Sequence, residues 1–174
     1  HYLLHDGSVG GPRGMLEQRS ADMSAAIAAA EGVDAEGIAM IRRIITATTW
    51  PWRDAEAPDL PCRMAREADL FASTLPELGP RLARRLVAEL AAAGQQDAGS
   101  VASHAARIAL LRMQAPPTTP AAILGLDLAR DDQISAYAGV AGSLGLVPAS
   151  AEAAAALLDE LDPGDAEALL AAAT

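Results

Sequence analysis

Apolar side chains recur at helical spacing along most of this chain, and this pattern limits the fold more than any other feature of the sequence. Ile38, Ile41 and Ile45, for example, fall on one face of a helix, because positions three and four apart are neighbours there. No five-residue run alternates Val, Ile or Thr with polar residues as a strand would. The hydrophobic fraction is 51% but the aromatic fraction is only 3%, so the sequence predicts an all-α protein packed through alanine and leucine.

Turn-forming residues divide this pattern into separate helices. Gly32 and Gly94 are typical of helix ends, and Asp34 and Ser150 are typical N-terminal caps. Pro51 disfavours a helical conformation for the residue before it. Besides the helix that begins after Asp34 and ends before Pro51, we predict helices over about 16–30, 61–73, 81–93, 101–113, 121–128, 131–144, 150–161 and 165–173. The predicted apolar stripe of the first of these consists of Met15, Met23, Ala26 and Ile27.

The charge and cysteine content exclude several classes of partner. The net charge is −10 at pH 7, whereas binding of nucleic acid or of an anionic membrane surface requires a positive patch. No apolar run approaches the ~20 residues that a membrane-spanning helix needs. The single cysteine, Cys62, excludes an internal disulfide and fits a reducing compartment. We therefore expect a cytoplasmic protein that has neither nucleic acid nor membrane as a partner.

His5, Asp6 and Asp69 are the best candidates for metal ligands. His5 and Asp6 follow an apolar pair and precede Gly7, which places both side chains where a helix stops. We interpret residues 1–6 as the last turns of a helix whose start is missing. Asp69 lies inside a later predicted helix that could pack beside them. An imidazole and two carboxylates suit a divalent cation such as Mg, Mn, Fe or Zn, provided that these stretches meet in space.

Four segments of the chain resemble, in the same order, motifs of the HD-domain superfamily, the helical metal-dependent phosphohydrolases. They are Leu3-Leu4-His5-Asp6-Gly7, the set Glu17, Ser20 and Ala21, the helix end from Ile41 to Pro51, and Arg66-Glu67-Ala68-Asp69-Leu70. The resemblance covers roughly residues 1–90. It implies an HD-like helical bundle in which His5, Asp6 and Asp69 bind the metal, and a phosphoester or nucleotide as the substrate.

Glu17 is the candidate catalytic residue. A general base, or an acid that orients water, must lie within one water molecule of the nucleophile, and Glu17 is the most plausible residue for that task. The alternative is an ordinary first-turn acid, which the helix dipole favours at that position.

The chain differs from the HD pattern in two places. The family carries a first histidine ligand on a helix well before the HD pair, and no such helix precedes His5 in this sequence. We therefore expect a fragment, a processed product or one domain of a larger protein. One branch of the family often has a histidine near the position of Trp50. Both differences favour a second interpretation, a non-catalytic HD-derived helical module for signalling or assembly.

Several other residues have more than one interpretation. Arg42, Arg43 and Arg66 would either hold a phosphate or belong to solvated helix faces. Trp50 and Trp52 would line a pocket mouth, bind the groove of a partner or cover the edge of the core.

Two further residues lack the neighbours that a reactive role requires. His104 has no candidate ligand beside it in the sequence, so we expect a surface or core histidine. Cys62 has no histidine neighbour, so we expect no nucleophilic role for its thiol.

The polar stretch 95–100 is the best candidate for a domain boundary. We predict an HD-like helical domain over residues 1–94, with its first helix or helices missing, and a helical extension over residues 95–174. The expected partners are a phosphorylated small-molecule substrate and, through the large alanine-rich faces, a homo-oligomer or larger assembly.

Overall fold

The fold is built from α-helices, as the sequence predicts. The computed structural model describes residues 12–50, 52, 59–113 and 117–173, and it contains no strand within these residues. A 3-10 helix spans Ala98–Ala102. The α-helices are α1 (Met15–Ala30), α2 (Ala35–Ala47), α3 (Leu60–Thr74), α4 (Leu78–Ala92), α5 (His104–Arg112), α6 (Thr119–Ile123), α7 (Leu126–Ser143), α8 (Ala151–Leu158) and α9 (Pro163–Ala172). None of these helices has the length and hydropathy that are needed to cross a bilayer.

The predicted caps and helix ends agree with the structure. The carboxylate of Asp34 accepts a hydrogen bond from the backbone N–H of Gly37 at 2.8 Å, at the start of α2. The Ser150 hydroxyl accepts one from the N–H of Ala153 at 3.2 Å, at the start of α8. Gly94 ends α4 with a φ of 79°, a left-handed conformation that favours glycine. These local signals set the helix boundaries because each one satisfies backbone groups that a helix end leaves unpaired.

The starts of α4 and α5 differ from the prediction. Helix α4 begins at Leu78, three residues before the predicted start, and Pro80 lies in its first turn. A proline is tolerated there because the first N–H groups of a helix have no intrahelical partner. Helix α5 begins at His104 rather than near residue 101, because the Ser103 hydroxyl caps it by accepting a hydrogen bond at 3.0 Å from Ala106 N–H.

The boundary between α6 and α7 also differs from the prediction. Helix α6 ends at Ile123, and α7 begins at Leu126, five residues before the predicted start at 131. Gly125 separates the two helices with a φ of 71°. A single glycine in the left-handed conformation is enough to redirect the chain, and that signal was missed.

The contacts divide the chain into an N-terminal unit (His1–Leu70) and a C-terminal unit (Phe71–Thr174). Within the N-terminal unit, α1 packs against α2. The buried face of α1 consists of Ser20, Ala21, Ala25 and Ala28. The predicted stripe was therefore wrong, since Ile27 is 55% exposed and Ala26 is exposed as well. Small side chains occupy the buried face because they allow the two helix backbones to approach closely.

The C-terminal unit contains the larger hydrophobic core. Its buried residues come from four helices, and they are Ile108, Leu111, Tyr137, Val140, Ala141, Ala151, Ala154, Ala155, Leu158 and Ala166. Five of these ten are alanines, which agrees with the expected alanine and leucine packing. The boundary that the sequence predicts between residues 94 and 95 falls inside this unit, and it stays a prediction.

A half-buried arginine, Arg107, organises the polar part of the C-terminal unit. The guanidinium of Arg107, on α5, donates hydrogen bonds to the carbonyl oxygens of Ser73, Thr74 and Leu75 and to the side-chain oxygen of Gln133. The Gln133 amide in turn donates to the Thr74 carbonyl at 2.8 Å. The last carbonyls of a helix carry partial negative charge, so a cation placed there stabilises the end of α3.

Gly79 provides the space for this arrangement, and its replacement tests the arrangement. A Cβ atom at Gly79 would collide with the Ser73 carbonyl oxygen and with the Arg107 guanidinium. We expect Gly79→Ala to lower the free energy of unfolding by about 1–3 kcal/mol, the usual cost of overpacking. Urea denaturation followed by circular dichroism measures this change.

Gly142→Ala is the matched control for that experiment. Gly142 also lies in a helix, but a Cβ there would meet no atom within 4 Å. Because alanine is the better helix former, we expect this variant to be more stable by about 0.5–1 kcal/mol. Equal effects of the two substitutions would contradict the predicted role of the space at Gly79.

Candidate metal site

The structure describes two of the four residues that the sequence assigns to the site. Glu17 lies in the first turn of α1 and Asp69 lies near the C-terminal end of α3. His5 and Asp6 fall outside the described residues.

The segment before α1 fixes the position of Glu17. Gly14 has a φ of 81°, and a Cβ atom there would come within 3.2 Å of the Thr49 side chain, just after the end of α2. The Arg13 guanidinium donates a hydrogen bond of 3.4 Å to the Thr49 carbonyl. These contacts place the first turn of α1 beside the end of α2.

Glu17 continues the buried face of α1. It lies three residues before Ser20 and four before Ala21, and both of these side chains are buried. Positions three and four apart share a face of a helix, so Glu17 is on the side of α1 that packs inward, and it is half-buried. This position differs from that of a first-turn acid on a solvated face.

Glu17 and Asp69 lie close enough to influence each other electrostatically. Asp69 is an exposed residue by its surface area. Nevertheless, desolvation of its carboxyl raises the pKa of Asp69, and the negative charge of Glu17 raises it further. Two carboxylates that repel each other form a place where a bound cation would replace repulsion by attraction. The structure thus brings together the predicted base and one predicted ligand, which are on different helices.

The described residues do not contain a complete metal site. Among them, no group of three or more His, Cys, Asp or Glu side chains is placed to hold a metal ion. Two carboxylates fit a divalent cation chemically, but they supply only part of its coordination shell. The remaining predicted ligands, His5 and Asp6, belong to the segment outside the described residues.

Arg66 has a position that neither interpretation of the sequence anticipated. Its side chain is buried, and its Nε donates a hydrogen bond of 2.6 Å to the Ala47 carbonyl, the last residue of α2. The guanidinium also lies over the Trp52 ring, 5.4 Å from the ring centroid. A guanidinium stabilises both a helix C-terminus and an aromatic face. Arg66 is therefore a structural cation at the end of α2, and neither a solvated residue nor an open phosphate ligand.

Arg42 and Arg43 lie on the solvated surface of α2 and form ion pairs. Arg42 pairs with Asp22 of α1, and Arg43 pairs with Asp59 at an N–O distance of 2.7 Å. Their side chains are 43% and 50% exposed, so each pair contributes little to stability. These contacts agree with the alternative that places both arginines on a solvated helix face.

The two tryptophans form an edge-to-face pair. Their ring centroids are 5.6 Å apart with an interplanar angle of 71°. Trp50 is 44% exposed, whereas Trp52 is half-buried and its indole N–H is buried without a hydrogen-bond partner. Trp52 is therefore partly covered, with Trp50 and the Arg66 guanidinium against its ring, and Trp50 presents an aromatic face to solvent.

His104 belongs to a hydrogen-bonded group in the C-terminal unit. Its Nδ1 lies 2.8 Å from the Tyr137 hydroxyl, and its backbone N–H donates to the Asp159 carboxylate at 2.6 Å. Desolvation raises the pKa of Tyr137 to about 12, so the phenol keeps its proton at neutral pH. Sequence inspection could not find this group, because Asp159 is far from His104 along the chain and no local motif links them.

Comparison of the chain with models of protein families, with curated proteins and with solved structures finds no match. The resemblance to HD-domain proteins stays a prediction that depends on the motifs quoted above.

Cys62 should be unreactive in the native protein. Its side chain is fully buried, and desolvation together with the neighbouring Asp59 carboxylate raises the pKa of the thiol. Since the thiolate is the reactive form, we expect native Cys62 to react with a disulfide reagent at least about a hundredfold more slowly than in urea. Absorbance at neutral pH follows the reaction, with Cys62→Ser as the blank. Equal rates with and without urea would contradict this prediction.

Asp69→Asn should stabilise the protein in the absence of metal. The pKa of Asp69 is raised in the folded state, so ionisation of its carboxyl lowers the free energy of unfolding. This loss of stability begins as pH rises above the pKa of the unfolded state and is complete above the pKa of the folded state. We expect the variant to melt about 1–2 °C above the wild type at neutral pH, a small shift because the carboxyl is partly solvated.

The pH dependence of the melting temperature distinguishes this electrostatic effect from an effect of the substitution that is independent of charge. Well below the ordinary aspartate pKa of 3.8, the carboxyl is protonated in both the folded and the unfolded state, so the two proteins should melt at the same temperature there. Glu167→Gln, at an exposed position of α9, is the control and should show no such dependence on pH. A variant that melts below the wild type at neutral pH would contradict the assigned repulsion.

Proposed function

We propose that this chain is a metal-dependent phosphohydrolase of the HD type that acts on a phosphoester or nucleotide. In this proposal His5, Asp6 and Asp69 bind a divalent cation, which is Mg, Mn, Fe or Zn, and Glu17 positions a water molecule. The observation that supports it is the electrostatic proximity of Glu17 and Asp69, which come from two different helices. A fold that keeps a carboxylate within reach of the desolvated Asp69 carboxyl has a reason to do so if a cation binds between them.

Each protein residue has a distinct task in the proposed reaction. When bound, the cation would activate water and neutralise charge on the phosphate. Asp69 must lose its proton before it can act as a ligand, and its raised pKa means that acidification competes with the cation. Glu17, on the inward face of α1, would orient the water and accept its proton as the bond from its oxygen to phosphorus forms. The bond from phosphorus to the leaving oxygen would break at the same centre, and that oxygen would take a proton from solvent.

A non-catalytic HD-derived helical module for signalling or assembly is the second candidate. The observation that favours it is the 44% exposure of Trp50, near the position where one branch of the family often carries a histidine. An exposed indole beside a second tryptophan suits contact with a partner protein better than coordination of a metal.

For either function we propose a cytoplasmic location. The free and buried Cys62 needs no oxidising compartment. We also propose a phosphorylated small molecule, rather than a nucleic acid, as the substrate, since a net charge of −10 opposes binding to a polyanion.

Metal binding and turnover, measured separately, test the enzymatic proposal. Isothermal titration with Mn²⁺ gives the affinity, and hydrolysis of p-nitrophenyl phosphate and of nucleoside phosphates gives the turnover. We expect Asp69→Asn to weaken metal binding by about 10–100-fold and to lower turnover with it. We expect Glu17→Gln to bind metal within about threefold of the wild type and to lose about 10²–10⁴-fold in turnover, as general-base variants do.

The matched control is Glu36→Gln, which changes an exposed acid in the first turn of α2. It should leave metal affinity and turnover unchanged. A wild-type chain that binds no metal, or an Asp69→Asn variant with full turnover, would contradict the enzymatic proposal and favour the non-catalytic module.

A further inference from the structure

The end of α6 and the start of α7 expose a cluster of large apolar side chains. Ile123 is 79% exposed, Leu124 is 69% exposed and Leu128 is 66% exposed. A single exposed leucine is common on protein surfaces, but three such residues within six positions form a patch. We call these three residues the apolar patch. Patches of this kind mark interaction surfaces in soluble proteins.

The apolar patch has an acidic border. Asp131 and Asp132 lie three and four residues after Leu128 on α7, so they flank it on the same face of the helix. Both are exposed. Asp131 also contacts Arg130 at 3.1 Å, but the Arg130 side chain is only 15% exposed, so little of its charge reaches the surface. A partner that covers the patch therefore needs apolar side chains together with positive charge.

Helix α4 of the same unit carries that combination. Leu86 is 43% exposed and lies one turn after Leu82, which is half-buried. Arg85 lies three residues after Leu82, and Arg81 lies one turn before Arg85; both arginines are exposed. The helix contains three arginines and a single acid, Glu89, in a chain whose net charge is −10. It is a basic, amphipathic helix in an acidic protein.

We propose that the apolar patch binds α4 of a second copy of this chain. Leu128 and its apolar neighbours would pack against Leu82 and Leu86, and the acidic border would face Arg81 and Arg85. Because both surfaces belong to the same chain, two copies related by a two-fold axis form this contact twice. The proposal concerns the C-terminal unit and does not depend on a metal site or on catalysis.

The net charge of the chain opposes this association, so the proposed local contact can be distinguished from a general effect of charge. Two chains of charge −10 repel each other, so any mutation that only reduces the net charge should favour pairing. Asp131→Arg/Asp132→Arg reduces the net charge from −10 to −6, yet the local contact predicts weaker pairing. The two explanations therefore predict effects of opposite sign for the same variant.

Sedimentation velocity over a concentration series tests the proposal with the full chain. We expect the wild type to form a species of twice the 17.8 kDa chain mass, with a Kd in about the micromolar range for an interface of modest size. Asp131→Arg/Asp132→Arg and, separately, Arg81→Glu/Arg85→Glu should each weaken pairing by at least about tenfold, because like charges then oppose each other. Circular dichroism confirms that each variant is folded.

Two controls complete the design. Glu160→Arg/Glu167→Arg changes the net charge by the same amount at exposed positions away from the patch, and should not weaken pairing. Leu128→Ser keeps every charge and should weaken pairing through loss of apolar contact, so it replaces the aspartate variant if that protein does not fold.

Mixing the two charge-reversed variants gives the decisive result. In a mixed pair, one contact has both charges reversed and the other is wild-type, so pairing should return to within about threefold of the wild type. A wild type that is monomeric up to about 100 μM, well above the expected Kd, overturns the proposal and assigns the patch to a basic partner of another origin. Failure of the mixture to pair, with both variants folded, overturns it as well.

Discussion

The hydrogen bonds of Arg107 are the interaction on which the C-terminal unit depends. A guanidinium stays charged when it is half-buried, as Arg107 is, so the donors that lose contact with water need acceptors from the protein. Backbone carbonyls at the end of α3 and the Gln133 side chain accept hydrogen bonds from its two terminal nitrogens, and none of these acceptors is a carboxylate. The tight course of the chain from α3 into α4 follows from this requirement, and it leaves space only for hydrogen at the Cα of Gly79.

Small side chains explain how a chain with so few aromatic residues forms a packed interior. In the N-terminal unit, Ala21 and Ala25 of α1 are buried, whereas the larger Ile27 remains exposed. In the C-terminal unit, alanines of α8 lie beside Leu111 and Leu158. Close approach of helix backbones increases dispersion contacts, so an alanine face can pack to normal density. Hydrophobicity alone therefore predicted the wrong buried face for α1, because the size of the side chains decides which face of this helix is buried.

Local signals in the sequence predicted the helices well, and long-range contacts account for what it missed. Asp34, Ser150 and Gly94 act within a few residues of themselves, so their roles could be read directly. Asp159 binds the first N–H groups of α5 from a position more than fifty residues away, and no local pattern reveals such a partner. Arg66 was missed for the same reason, since its partner is the carbonyl at the end of another helix.

The charge of Glu17 acts on Asp69, and these are the two residues of the predicted site that lie among the described residues. The sequence connects these acids only through a resemblance, whereas the structure connects them through their charges. Violations of the local rules of stability are expected at functional or strained sites. A partly desolvated carboxyl beside a second carboxylate is such a violation, because an asparagine at position 69 would avoid the repulsion. That cost to stability is the physical reason to look for a cation at this position.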